Sequence, residues 1–176
     1  MKWFLRPVIE SGHERTTEPR QLVVQLPDQW DFRYDPDDVG EEQGFFKWHV
    51  PADGWRRVKT YSATLNEQKI PEQFAWMWYR VKFVTPSRLP SGPLHIWFGE
   101  VDGDPTQVYL NGKFLGKFTG ARKPAEFEIT GKLSPGEENS LVMKTGHFRI
   151  SELMLGGILR PVMIYAGEKS LTSTVK

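Results

Sequence analysis

The 176 residues carry 23 Lys and Arg against 22 Asp and Glu, a net charge of +1, and no cysteine. That balance argues against a nucleic-acid partner, which calls for a clustered basic excess, and the lack of thiols excludes disulfides and thiolate metal sites. No window reaches the ~20 consecutive apolar residues of a membrane helix, and the length fits one domain.

Met1 to Arg20 reads as an N-terminal extension. Its apolar start is cut by Arg6 and Pro7, too short a run for a signal peptide. The chain is then cytoplasmic, or processed from a secreted precursor. From residue 21 onward helical periodicity is nearly absent. Short alternating runs lie between Gly, Pro, Asp and Asn, the pattern of an all-β sandwich or barrel. The predicted strands are Leu22–Leu26, Trp30–Tyr34, Trp55–Lys59, Ala75–Val84, Leu94–Gly99, Gln107–Leu110, Lys113–Phe118, Ala125–Ile129, Ser140–Lys144 and Val162–Ala166. The polar stretch Asp35–Phe46 holds at most one helical turn. Asn111-Gly112 predicts a two-residue type I′ hairpin, because both positions need φ > 0. Pro135-Gly136 supplies a second turn. Glu168 to Lys176 reads as a tail, which leaves residues 21–167 for the sandwich.

Alternation assigns faces. Met77, Tyr79, Val81, Phe83, Leu94, Ile96, Phe98, Val108 and Leu110 are the expected core. Opposite them stand Trp76, Trp78, Arg80 and Lys82 on one strand and His95 and Trp97 on another. If those strands are neighbours, Trp76, Trp78 and Trp97 form an aromatic patch outside the core. It would serve as a sugar platform, or lie under a loop or under the extension with Trp3 and Phe4. Glu100, Asp102 and Asp104 cluster in one turn. They offer oxygen ligands to a structural calcium or make a solvated acidic turn; the EF-hand pattern is missing. His13, His49, His95 and His147 show no metal-ligand spacing, and no other cofactor motif is present.

Several motifs recur in a recognisable order: "WDFRYDPDDVGEEQGFF", "PADGWRRVK", "FAWMWYRVKF", Val108-Tyr109-Leu110-Asn111-Gly112-Lys113, and Gly156-Gly157-Ile158 with Arg160-Pro161-Val162. From about Trp30 to Tyr165 the chain resembles the N-terminal sugar-binding domain of glycoside hydrolase family 2, which includes β-galactosidases, β-glucuronidases and β-mannosidases. The resemblance implies a jelly-roll β-sandwich of the galactose-binding type, with the two catalytic carboxylates in a separate barrel. It also implies that the loop before Gly156-Gly157 carries a sugar-contacting carboxylate, a position that falls on Ser151 or on Glu152. His147 and Arg149 lie just upstream, and Arg160 follows with five donors suited to a loop carbonyl or a carboxylate. The acidic contact that β-galactosidases place after the Asn-Gly hairpin falls on Gly120, so it is lost here. The resemblance implies a non-catalytic carbohydrate-binding module, with carbohydrate, a glycosidase barrel or another chain as partner. The alternative is an architectural sandwich that docks a partner without sugar.

Overall fold

In the computed structural model the described residues are 20–49, 51, 53–148 and 156–167. Twelve strands are present among them: β1 (Gln21–Gln25), β2 (Gln29–Asp35), β3 (Arg56–Lys59), β4 (Ala75–Val84), β5 (Leu94–Phe98), β6 (Val101–Asp102), β7 (Thr106–Leu110), β8 (Lys113–Phe118), β9 (Ala125–Glu128), β10 (Glu138–His147), β11 (Gly157–Ile158) and β12 (Val162–Ala166). No helix occurs among the described residues. One sheet runs β1-β12-β5-β9, the other β3-β2-β4-β10-β7-β8, and β11-β6 form a small ribbon. The pairing is antiparallel. The chain is therefore an all-β antiparallel sandwich.

The nine expected core residues all join one buried cluster between the sheets, with Trp30, Phe32, Leu141, Met143 and Ile164. The period-2 alternation of β4 explains why: its even and odd side chains face different layers. The Asn111-Gly112 turn is also as the sequence predicts. Asn111 and Gly112 have φ of 51° and 73°, and Leu110 pairs with Lys113. Asn111 further donates to Asn139 Oδ1 at 2.9 Å and accepts from the Ser140 amide at 2.8 Å, tying the hairpin to β10. An added Cβ at Gly112 meets nothing within 4 Å, so the cost of a side chain there is backbone strain alone. Gly112→Val should destabilise by about 1–2 kcal/mol in urea unfolding. A midpoint unchanged from wild type would mean that the left-handed turn is not required.

The expected aromatic patch does not form. β4 pairs with β2 and β10 in the six-stranded sheet, whereas β5 pairs with β12 and β9 in the four-stranded one. The connection 85–93 crosses between layers, so Trp97 lies in the opposite sheet from Trp76 and Trp78. Trp97 packs with Met163, Tyr165 and Leu22. Trp78 is wholly buried beneath the 36–49 segment, where Phe45 meets it edge-on at 5.7 Å. Its Nε1 donates to Asp35 Oδ2 at 2.9 Å. Asp35 also accepts from the amides of Val39 and Gly40 at 2.9 and 2.8 Å, folding the segment back over the sheet. Lys144 completes this clamp. Its Nζ reaches Asp38 at 2.5 Å and Glu41 at 2.8 Å and sits 4.3 Å from the Trp76 ring centroid. Burial alone would lower the Lys144 pKa; the hydrogen bonds and charges of Asp38 and Glu41 outweigh it, and the net shift is upward.

Candidate functional site at the loop edge

The β6–β11 ribbon organises one edge of the sandwich. Gly157 pairs with Asp102 and Ile158 with Val101, and the Leu159 amide donates to the Glu100 carbonyl at 3.0 Å. Gly156 and Gly157 have φ of 52° and 81°, the left-handed region that favours glycine. At Gly157 the reason is doubled: an added Cβ would lie 2.1 Å from the Tyr79 hydroxyl. Arg160 then binds Glu100, Nε to Oε2 at 3.0 Å, and so ties the ribbon's two strands together. Pro161 precedes β12, where no ladder amide is lost.

The three carboxylates of the acidic turn go to separate partners. Glu100 binds Arg160. Asp102 accepts from Arg122 Nε and from the Gly156 amide, each at 3.0 Å. Asp104 accepts from the Gly120 amide at 3.1 Å. No group of three acidic or histidine side chains placed to hold a metal occurs among the described residues. Glu100 thus braces Arg160, while Asp102 and Asp104 each accept from a loop amide.

Two cavities flank Gly156. The larger, about 470 Å³, is lined by Tyr61, Ser62, Thr64, Tyr79, Glu100 and Arg160 among others. Tyr79 is buried, and its hydroxyl has the Met77 sulfur, a weak acceptor, as partner at 3.8 Å. Burial, with Tyr34 and Asp102 nearby, pushes its pKa well above the ordinary phenol value, so it stays a neutral donor. The smaller cavity, about 230 Å³, is lined by Tyr34, Asn66, Glu72, Met77 and His147. His147 Nε2 lies 2.7 Å from Glu72 Oε1, and the Phe74 ring stacks parallel to the imidazole at 6.1 Å.

Of the sequence-derived candidates, His147 and Arg160 thus stand on either side of Gly156, each on a carboxylate. Arg149, Ser151 and Glu152 lie outside the described residues. Tyr61, Ser62, Glu72 and the Tyr79 hydroxyl were not singled out by the sequence. One signal for the 60–70 segment was present in Thr64-x-x-Glu67, a capping-box spacing. The Thr64 amide donates to Glu67 Oε2 at 2.8 Å and the Glu67 amide to Thr64 Oγ1 at 3.2 Å. Those reciprocal bonds hold the loop that walls the larger cavity.

Fold and edge together define a β-sandwich with a polar cleft between loops at one side. No family model matches the chain. A beta-glucuronidase from Paenibacillus borealis is 26% identical over 125 residues, covering 65% of this chain and 19% of that protein. Among solved structures, a β-glucuronidase from Ruminococcus gnavus in complex with D-glucuronic acid superposes with a TM-score of 0.71 at 19% identity, over 88% of this chain and 31% of that one. An uncultured Clostridium sp. beta-glucuronidase gives 0.68 at 25% identity, over 87% and 30%. The chain is similar to one domain of family 2 glycosidases, as its motifs imply. It spans about a fifth of the curated relative and about 30% of the solved ones.

Proposed function

We propose that this sandwich is a carbohydrate-binding module without hydrolytic chemistry of its own, holding a sugar at the edge between Arg160 and His147. The observation that carries the reading is the larger cavity, with a buried hydroxyl in its wall whose acceptor is a thioether. About 470 Å³ falls within the ~300–1,000 Å³ of small-molecule sites. Its lining is rich in hydroxyls, and the Arg160–Glu100 pair offers donors and acceptors side by side for vicinal sugar hydroxyls. The Ruminococcus gnavus enzyme was solved with D-glucuronic acid, which fits a sugar partner for a related domain. In this reading Arg149, Ser151 and Glu152 remain candidate sugar contacts. The outer aromatics serve the fold instead, since Trp78 is fully buried and Trp97 stands on the other sheet. Glu72 and Glu100 each engage a side chain of this chain, His147 and Arg160, and the two-carboxylate machinery of glycoside hydrolysis belongs to the family's barrel.

Titration with simple pyranosides, followed by protein-observed NMR, should give weak binding with shifts around Arg160 and Ile158. Arg160→Ala should weaken it about tenfold, the effect of a charged hydrogen bond. The chain alone should release no product from aryl glycosides. Turnover abolished by one Glu or Asp substitution would overturn the non-catalytic reading.

One observation favours docking as a second role. Phe74 and Phe148, at adjoining ends of β4 and β10, are 57% and 49% exposed beside His147. A glycosidase barrel or a second chain seated there would cover both rings. Absence of any pyranoside shift at millimolar concentration, with a dimer mass in solution, would favour this role over sugar binding.

A further inference from the structure

A second feature lies at the other end of the six-stranded sheet. An open groove of about 730 Å³ runs between the Trp48 stretch and the Asn111-Gly112 turn. Lys47, Lys82 and Lys113 line it against a single carboxylate, Glu138, which Lys82 binds. Lys47 and Lys113 are exposed and form no ion pair among the described residues. With 23 cationic and 22 anionic side chains in the whole sequence, this cationic excess is local. Trp48 stands in the groove wall, with the charged ends of Arg80 and Lys82 each 4.8 Å from its ring centroid. Those contacts hold the ring in place. The groove is separate from the loop edge: from Lys82 back to Ala75, which pairs with His147, is about 23 Å of strand at ~3.3 Å per residue.

We infer that this groove binds an acidic polysaccharide, an extended glycan with carboxylates or sulfates along its length. Lys47 and Lys113, on one open surface with the Lys82–Glu138 pair between their segments, suit repeated anions, since each ammonium is a compact, hydrated charge that accepts many geometries. The hydroxyls of Ser134 and Ser140 beside them suit a polar chain. No aliphatic side chain lines the groove, so it offers no apolar groove for the anchor side chains of an amphipathic helix. It also lacks the row of aromatic platforms on which successive nucleic-acid bases stack, since Trp48 and the smaller His49 imidazole are the rings that line it among the described residues. The inference does not rest on sugar binding at the loop edge.

Affinity electrophoresis of the full chain tests it, with polygalacturonate, neutral dextran and oligothymidylate as probes. Polygalacturonate should retard the chain and dextran should not. Raising the salt to about 0.5 M should abolish the retardation, because the charges are solvent-exposed. Lys47→Gln with Lys113→Gln removes two charges from exposed positions and should weaken binding at least about tenfold, with the unfolding midpoint unchanged. Arg160→Ala should leave this binding intact, which separates the groove from the loop edge whether or not the latter takes a sugar. Retardation equal in the Lys47/Lys113 variant would overturn the assignment to this groove. Tighter binding of oligothymidylate would replace the glycan with nucleic acid, and no retardation by any probe would sink the inference.

Discussion

Gly157→Ala should cost about 2–5 kcal/mol, made up of ~1–2 for a non-glycine residue in left-handed backbone and ~1–3 for overpacking. The overpacking falls on a side chain with little room to give. The new Cβ would lie 2.1 Å from Tyr79 Oη and 2.6 Å from Cζ, and that ring is buried and packed against Phe32 at a centroid distance of 5.0 Å. Gly156→Ala is the natural control. It too has positive φ, but its Cβ would meet Met77 and Leu65 at 3.7–3.8 Å, ordinary contact distances. Only the strain remains there, about 1–2 kcal/mol. Gly157→Ala combined with Tyr79→Phe should recover part of the loss and not all, because Cζ stays in the way. Equal losses at the two glycines in urea unfolding would show that the approach to Tyr79 does not set the requirement. The double glycine thus does two jobs: one residue turns the chain, and the other lets it pass over a buried phenol.

Much of the sandwich was legible because burial writes a period of two into each long strand. Ala75–Val84 and Lys113–Phe118 could be bounded to the residue, and the β4 core face follows from alternation alone. Alternation says which face a side chain takes, but not which strand lies beside it. That is why Trp97 could be placed opposite the core yet assigned to the wrong sheet. β6 and β11 span two residues each, too short for any periodic signal. The start and end of β10 were missed for a related reason: Asn139 and Thr145 are polar yet buried, satisfied by Asn111 and Thr106, so they break the apolar pattern. At the loop edge, Arg160 was legible as a tie because an arginine before a strand-opening proline has few other uses. Its partner Glu100 is 60 residues away and belongs to a turn that reads equally well as a metal loop. The cavity walls come from residues 60–72, an irregular stretch whose spatial neighbours are set by the sheets.

Trp78→Ala should cost about 3–5 kcal/mol, the range for truncating a fully buried large aromatic. The side chain is 0% exposed on the outer face of its sheet and holds Phe45, Tyr109 and Val142 in one cluster. Removing it leaves a cavity under the 36–49 segment and takes one of three donors from Asp35, a carboxylate that is itself buried. Trp78→Phe keeps most of the ring volume and loses the Nε1 donor, so it separates packing from hydrogen bonding. Its cost should be smaller, about 1.5–3 kcal/mol for one lost hydrogen bond to a carboxylate that keeps its two amide donors. Because Asp35, Asp38 and Glu41 fasten the segment from its two sides, Trp78→Ala should also raise amide exchange at Val39 and Gly40 ahead of the strands. A loss under 1 kcal/mol, with exchange at those amides unchanged, would mean that the Lys144 ion pairs alone hold the segment down. The tryptophan would then be filling space that the fold does not need.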